Sequence, residues 1–549
     1  MSQHLIIAPI LIPFVAGALM LLYDDRQRAA KFWLSLIATG LTLAVAVALL
    51  MRAKLGASEG AENIGFYLLG DWAAPMAIVL VLDHLAAMML LLTSVLALAS
   101  LVYARASWHR QGQHYFSLFQ FLLVGLNGAF LTGDLFNLFV FFEVLLAASY
   151  GLLLHGSGQV RVRAGLHYIA INLAASLLLL LGISLIYGVT GTLNMAHLAS
   201  MMPDIDAANR PLLQMGLALM GVAFLVKAGI WPLSFWLPNA YMAAAAPVGA
   251  MFAIMTKVGI YAILRLTMLL FAAGSGPSAG LGAGLLIGLG MATVVFGMLG
   301  VLASQSLGRI AAHAVILSSG TMLAVTGLAL AGGGEWMLAG ALHYMVASTL
   351  AAGALFLMVE PMSRDDGGIA AMLALTAEIY GAKADLPSDD DGPDGPDGPA
   401  IAAGPALLAA CFALCLLALA GLPPMPGFIG KLTMIQGVFD TADTSPWLGW
   451  AFVALLLVSG FATLIGLARI GIQTFWANDD RDSPVMAMEI APIMALIAVL
   501  AVISIESEAV LRYTDRTAQA LHQTSRYAQG VLTAPRADDA QPPTPEDVP

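Results

Sequence analysis

The chain has 549 residues, 60% of them hydrophobic and only 10% charged, and its mean hydropathy is +0.87. No soluble core hides that much apolar surface, so the composition excludes a water-soluble enzyme or a nucleic-acid-binding protein and requires an integral membrane protein in contact with lipid. The net charge of -11 does not call for a cationic partner, because the acidic excess gathers in two polar stretches, 385–397 and beyond Pro535, which read as solvated loop and tail.

A spanning helix needs about 20 predominantly apolar residues. Runs of that kind fall near 4–23, 31–51, 77–101, 114–132, 134–154, 166–187, 211–229, 241–271, 280–303, 309–331, 337–359, 401–422, 447–473 and 488–506. The fold class expected is therefore all-α and polytopic, with about fourteen transmembrane helices and short extra helical pieces after Trp231 and Phe428. The first run is too long for a signal-peptide core and is kept as a span. Asp134, in LTGDLFNLF, sits where it can cap the helix it opens. Cys411 and Cys415 lie four apart on an apolar helix with no His or Asp nearby, which reads as core packing rather than a metal site. The acidic Gly/Pro stretch 383–400 has nothing apolar with which to fold and reads as a flexible linker.

Numbering the connections from the first loop, the odd ones hold twelve Lys and Arg residues and the even ones only Arg52, Lys54 and Arg210. Cytoplasmic loops carry such an excess, which places the odd loops in the cytoplasm of a bacterial cell and both termini outside its plasma membrane.

Two segments look alike: AGLHYIAINLAASLLLLLGI from Ala164 and AGALHYMVASTLAAGALFLM from Ala339, each with a His-Tyr pair near a helix start. The helix after the first is broken at KAGIWPLSFWLP, from Lys227, and the helix after the second at GLPPMPGFIGK, ending at Lys431. Interrupted helices in matching positions of two halves point to a transporter's ion path. Five helices per copy is an odd number, so the copies are expected to be inverted. The organisation read from this is helices 1–3 over 1–110, a first repeat (helices 4–8) over 111–271, a second (helices 9–13) over 272–475, helix 14 over 476–510, and a weakly ordered polar tail over 511–549.

Four charged residues stand inside apolar runs: Glu143, Lys227, Lys257 and Lys431. Each costs roughly 2.5–3.5 kcal/mol at bilayer depth on the mildest insertion scale, which decoration does not explain. Burial disfavours the charged form of a lysine, so a membrane lysine gains and loses a proton when a movable counter-charge tips the balance. Glu143 is the expected counter-charge and Lys227 its expected partner, with Lys257 and Lys431 continuing a line of proton stations. His313 and His343 are candidate relays between them. His114 and His167 lie near helix ends, where they either feed the line or face water. Ser318 and Ser319 occupy the part of helix 10 that corresponds to Glu143. Arg265 is expected to snorkel to the outer surface. No phosphate loop, dinucleotide fingerprint or iron–sulfur cysteine cluster is present in the sequence, so no cofactor is expected, and neither is any redox or fuel-consuming chemistry of the chain's own.

GDLFNLFVFFEVLLAASYGLLLHG from Gly133, LVKAGIWPLSFWLPNAYMAAAAPVGA from Leu225 and GLPPMPGFIGK resemble the antiporter-like subunits shared by Mrp-type multisubunit cation/proton antiporters and proton-pumping NADH dehydrogenase. The similarity spans roughly 116–475 and is strongest to D-type Mrp subunits. It implies a fourteen-helix fold with inverted five-helix repeats. It also implies family roles for Glu143 and for Lys227, Lys257 and Lys431, and work within a hetero-oligomeric complex that exchanges Na+ or another monovalent cation for H+. The alternative it leaves open is a proton-pumping subunit of an NADH dehydrogenase or membrane hydrogenase. The acidic insertion at 383–400 and the long tail depart from the usual pattern. The cation itself is expected to pass elsewhere, because no cluster of carboxylates lies within the membrane runs.

Overall fold

A computed structural model of the chain describes residues 4–24, 26–56, 64–108, 114–363, 403–440, 446–475, 485–534 and 536. Lipid cannot hydrogen-bond a backbone, so apolar runs of this length satisfy their N–H and C=O groups as helices. Those that form are α1 (Ala8–Leu21), α2 (Arg28–Gly56), α3 (His84–Ala104), α4 (Tyr115–Leu131), α5 (Leu135–Leu153), α6 (Gln159–Thr190), α7 (Met195–Met201), α8 (Arg210–Lys227), α9 (Leu237–Ala243) and α10 (Ala246–Leu270). They continue as α11 (Ala283–Ala303), α12 (Leu307–Leu330), α13 (Glu335–Ser363), α14 (Gly404–Ala420), α15 (Pro426–Asp440), α16 (Pro446–Phe475), α17 (Ala487–Ile505), α18 (Ser507–His522) and α19 (Thr524–Leu532). Among the described residues eleven helices are long and apolar enough to cross a membrane, and α1, α4 and α14 are shorter apolar helices, which together make the expected fourteen. The stretch 383–400 lies outside the described residues.

The bundle is organised around α10. This helix packs against α3, α8, α12 and α13, and every residue of its most apolar stretch is buried. Outer helices show the opposite pattern: α6 presents Leu166, Leu173, Leu177 and Leu181 outward, the face a lipid or a neighbouring subunit covers.

The two interrupted helices end alike. After α8, Gly229 adopts φ +68° and the Ile230 N–H returns to the Leu225 carbonyl at 3.0 Å; after α14, Gly421 adopts φ +78° and the Leu422 N–H returns to the Leu417 carbonyl at 2.9 Å. This is a glycine-terminated helix end, in which the left-handed residue turns the chain and satisfies one orphan carbonyl. A cis X-Pro bond follows each at the same offset, Trp231–Pro232 and Pro423–Pro424. The chain then resumes as α9 and α15. In this register Gly229 matches Gly421, so Lys227 precedes its break whereas Lys431 follows its own.

One end of the bundle carries a cap. Strands β1 (Gly65–Leu68) and β2 (Val79–Leu82) form an antiparallel hairpin, Leu80 bridges to Thr132, and Asp134 bridges to Asn194 at the start of α7. Asp134 also caps α5 as expected, accepting the Asn137 N–H at 2.8 Å. Over this end α19 packs on α7, and α18 on α13 and α3. Here the structure corrects the sequence reading: the tail from 511 onward is not weakly ordered up to Leu532. Thr514, Thr517, Ala518 and Leu521 recur at helical spacing and are buried, as are Tyr527, Ala528 and Val531. Two amphipathic helices result, whose polar outer faces hide that stripe in the overall composition.

Candidate functional site

Lys227 lies in the last turn of α8 and is buried. Its ammonium donates to Ser176 Oγ on α6 at 3.0 Å and stands 5.0 Å from the centre of the Phe142 ring. A helix C-terminus is its negative pole, and the ring face is negative too, so both favour a cation there. Glu143 is the next residue along α5 from Phe142. Its Oε1 is buried and has no hydrogen-bond partner among the described residues. The expected ion pair is not formed: among the described residues no salt bridge joins Glu143 to Lys227, and the hydroxyl of Ser176 holds the ammonium instead.

Lys257 is fully enclosed in the middle of α10. Its ammonium donates to Ser318 Oγ at 3.0 Å and Ser319 Oγ at 3.2 Å on α12, and Ser318 is hydrogen-bonded to Ser348 on α13 at 2.8 Å. The serines matched to Glu143 in the sequence thus face a lysine, as the glutamate was expected to. Gly259, two residues on, lets α10 approach the end of α8 closely; a Cβ there would stand 2.8 Å from the Ala228 nitrogen. That approach brings the Lys227 end of α8 beside the Lys257 turn of α10.

Lys431, in α15, reaches back across its break. Its ammonium donates to the Ala420 carbonyl at 2.9 Å, the last carbonyl of α14, and lies 5.9 Å from the Tyr344 ring centre. Glycines make the space: a Cβ on Gly421 would stand 2.6 Å from Lys431 Cδ, and one on Gly460 would stand 2.7 Å from its Nζ. Lys227 and Lys431 thus sit on opposite sides of their breaks, and they differ in what they hold: the Lys431 ammonium ends at the C-terminal pole of α14, the Lys227 ammonium on a hydroxyl of α6.

The two histidines part company. His343 is fully buried on α13, five residues before Ser348 and next to Tyr344; its ring faces the Pro426 carbonyl, and among the described residues neither ring nitrogen has a side-chain partner. His313 is bonded through Nδ1 to the Arg309 carbonyl of its own helix at 2.8 Å, at the end of α12 away from the serines. His114 and His167 are exposed, so His167 does not repeat the environment of its counterpart His343. Both cysteines are buried, and no group of three or more metal-ligating side chains occurs among the described residues.

Two clusters lie at the ends of α10. At its far end Arg265 does not snorkel. Its guanidinium pairs with Asp83, including a 2.8 Å bond from Nη2 to Oδ1, and also donates to Tyr261 Oη at 3.1 Å. Burial pushes the Asp83 carboxyl upward, but the Arg265 charge and hydrogen bond outweigh it and hold the carboxyl below the ordinary carboxylate range. Tyr527 of α19 covers the guanidinium, and Tyr513 of α18 donates to the His84 carbonyl at 2.7 Å. At its near end the α10 backbone meets Glu360. Asp83, near the start of the 77–101 run, and Glu360, just past the end of the 337–359 run, are missing from the sequence reading because a charge near a run's end is ordinarily solvated. Ser176 and Ser348 carry no signal of their own, serine being common in membrane helices.

The transmembrane family model described as NADH:quinone oxidoreductase/Mrp antiporter matches residues 132–377. The D subunit of a probable K(+)/H(+) antiporter of Rhizobium meliloti (strain 1021) is 50% identical over 541 residues, covering 97% of this chain and 98% of that protein. The D subunit of the Na(+)/H(+) antiporter of Alkalihalophilus pseudofirmus (strain ATCC BAA-2126 / JCM 17055 / OF4) is 32% identical over 537 residues, covering 96% and 99%. A chain of the solved Mrp complex from Dietzia sp. DQ12-45-1b superposes with a TM-score of 0.78 at 25% identity, covering 96% of this chain and all of that one.

Proposed function

The chain belongs to the D subunits of the multisubunit Mrp-type cation/H+ antiporters, and from that premise we propose that it moves protons along its buried lysine row under the control of Glu143. As such it is a transporter component that works inside a hetero-oligomeric membrane complex, and it is related to the antiporter-like subunits of NADH dehydrogenase. The exchanged ion is a monovalent alkali cation; K+ stands in the name of the relative at 50% identity and Na+ in that of the relative at 32%. The rival reading, a subunit of a redox-driven pump, is less favoured because both of these relatives are named as antiporter subunits.

One observation carries the mechanism. All three lysine ammonium groups are buried, and their hydrogen bonds go to hydroxyls or a carbonyl, with no carboxylate in ion-pair contact among the described residues. Neutral partners leave a lysine free to hold or release its proton, and the balance tips when a carboxylate approaches. Glu143, one residue from the Phe142 ring on which Lys227 rests, is the mobile charge. In this reading the absence of a Glu143–Lys227 pair among the described residues corresponds to the separated form of the switch; closure pairs Glu143 with Lys227 and holds its proton, and opening passes the proton toward Lys257. Serine hydroxyls and His343 link Lys257 to Lys431. The proposed residues are therefore Glu143, Lys227, Lys257, Lys431 and His343, with His313 an accessory at most. The five-helix segments 111–271 and 272–475 act as inverted halves, and the odd-numbered connections face the cytoplasm of a bacterial cell, with both termini outside.

The test is cation-induced collapse of a proton gradient in everted vesicles holding the whole complex, with Na+ and K+ added separately. Glu143→Ala and Lys227→Ala are expected to abolish exchange while the complex still assembles. Wild-type exchange in both would remove the switch and leave the charges a purely structural role.

A further inference from the structure

Glu360 ends α13 where α10 begins. Its carboxylate accepts the Trp108 indole N–H at 2.8 and 2.9 Å, the Tyr103 hydroxyl at 3.2 Å and the Ala246 backbone N–H at 2.9 Å. That last bond caps the helix that carries Lys257. Glu360 is only partly buried and lines a small cavity with ≈ 20 Å³ of room for water, enough for about one molecule. On the inner wall of the cavity stands Tyr241, whose hydroxyl donates to the Phe252 carbonyl at 2.9 Å and lies beside the Thr256 hydroxyl. Thr256 immediately precedes Lys257.

We infer that Glu360 is the carboxylate that loads protons onto the Lys257 row from the end of the bundle at which α10 begins. The inference rests on the reading of the buried lysines as proton carriers. A fixed structural carboxylate would be expected to hold a cation, and among the described residues Glu360 holds none. The nearby Arg161 directs its guanidinium to the Ala243 carbonyl at 3.0 Å and the His155 carbonyl at 3.1 Å, and lies 4.6 Å from the Trp108 ring. Its field favours the charged carboxylate without an ion pair that protonation would have to break.

Among the described residues the other charged and titratable groups facing the site are Tyr103 from α3, Tyr115 from α4, Glu489 from α17 and His155 after α5. Burial keeps the His155 imidazole below its ordinary value, so it adds no charge. In the loading step an O–H bond of a hydronium ion at that end of the bundle breaks, an O–H bond forms at the Glu360 carboxylate, and water is left. The Glu360 O–H bond then breaks as protons hop through water and the Tyr241 and Thr256 hydroxyls, an N–H bond forms on neutral Lys257, and the carboxylate is restored. Eleven residues of helix separate Ala246 from Lys257, about 16 Å, so a relay is required.

The experiment compares Glu360→Gln, Trp108→Phe and Lys227→Ala in everted vesicles containing the assembled complex. Glu360→Gln keeps an acceptor for Ala246 but cannot carry a proton, and is expected to slow exchange about 10²-fold, the scale of a lost proton-transfer group. Trp108→Phe removes a donor to the charged form, so the pH of half-maximal exchange is expected to move to more alkaline values, which a capping role alone would not do. Wild-type exchange in Glu360→Gln beside an inactive Lys227→Ala would overturn the loading role and leave the lysine row standing. Wild-type exchange in both would overturn the row and the loading role together. If Glu360→Gln does not assemble, an unshifted profile in Trp108→Phe overturns the inference.

Discussion

Asp83 and Arg265 are a buried ion pair whose removal from one side is more damaging than its absence would be. Replacing Asp83 by Asn leaves the Arg265 guanidinium uncompensated under Tyr527, which costs about 3–5 kcal/mol for pairs of this kind. The expected outcome is a lower thermal midpoint for the purified complex. Its pH dependence has a definite sign. The Asp83 carboxyl is held below its ordinary value in the folded chain, so the pair's contribution is fully present above the unfolded value of about 3.9 and fades only as the pH falls through the folded one. The midpoint difference between wild type and Asp83→Asn is therefore expected to be constant from neutral pH down to about pH 5, and a difference that shrinks with mild acidification would contradict it. This pair also marks where reading from sequence stops. Lys227, Lys257, Lys431 and Glu143 were legible because a charge within an apolar run is rare and costly, whereas Arg265 was misread as snorkelling because its partner lies 182 residues away and nothing local announces it.

Among the elements, the broken helices were the most legible, since Pro232 and Pro423 with Pro424 cannot continue a helix. What the sequence could not convey is that Lys431 reaches back across its break to the last carbonyl of α14, whereas Lys227, ahead of its own break, turns to Ser176 of α6. That depends on backbone direction after Gly229 and Gly421, not on spacing. Gly421→Ala probes it. A side chain at φ +78° costs about 1–2 kcal/mol, and the new Cβ would stand 2.6 Å from Lys431 Cδ. Exchange is expected to fall several-fold with the complex still formed, whereas Gly284→Ala in α11, with open space around it, is expected to change nothing. The capping helices α18 and α19 were the least legible elements. Their apolar stripe is short, and its pairing surfaces on α13, α3 and α7 come from distant parts of the chain.

For the molecule as a whole, orientation can be read at the two ends of α6. Gln159, which opens α6, and Ala207, between α7 and α8 beyond its other end, are both exposed, and the native Cys411 and Cys415 are buried. With the odd loops cytoplasmic, a membrane-impermeant maleimide is expected to label Ala207→Cys in intact cells and Gln159→Cys only in everted vesicles; the reverse pattern would invert the topology. The enclosure of α10 has a consequence for how the chain is made. A membrane helix usually partitions into lipid as it leaves the translocon, yet α10 carries Lys257 and Arg265, and in the finished protein its surface meets other helices. Asp83 is synthesised before Arg265 and can receive it at once. The hydroxyls that hold Lys257 come from α12, and the Ser348 hydroxyl that bonds one of them from α13, both of which follow. Until those helices are inserted, the nascent chain holds its central lysine without them. An interrupted translation product ending between α10 and α12 is therefore the form that membrane quality control has most reason to recognise and degrade.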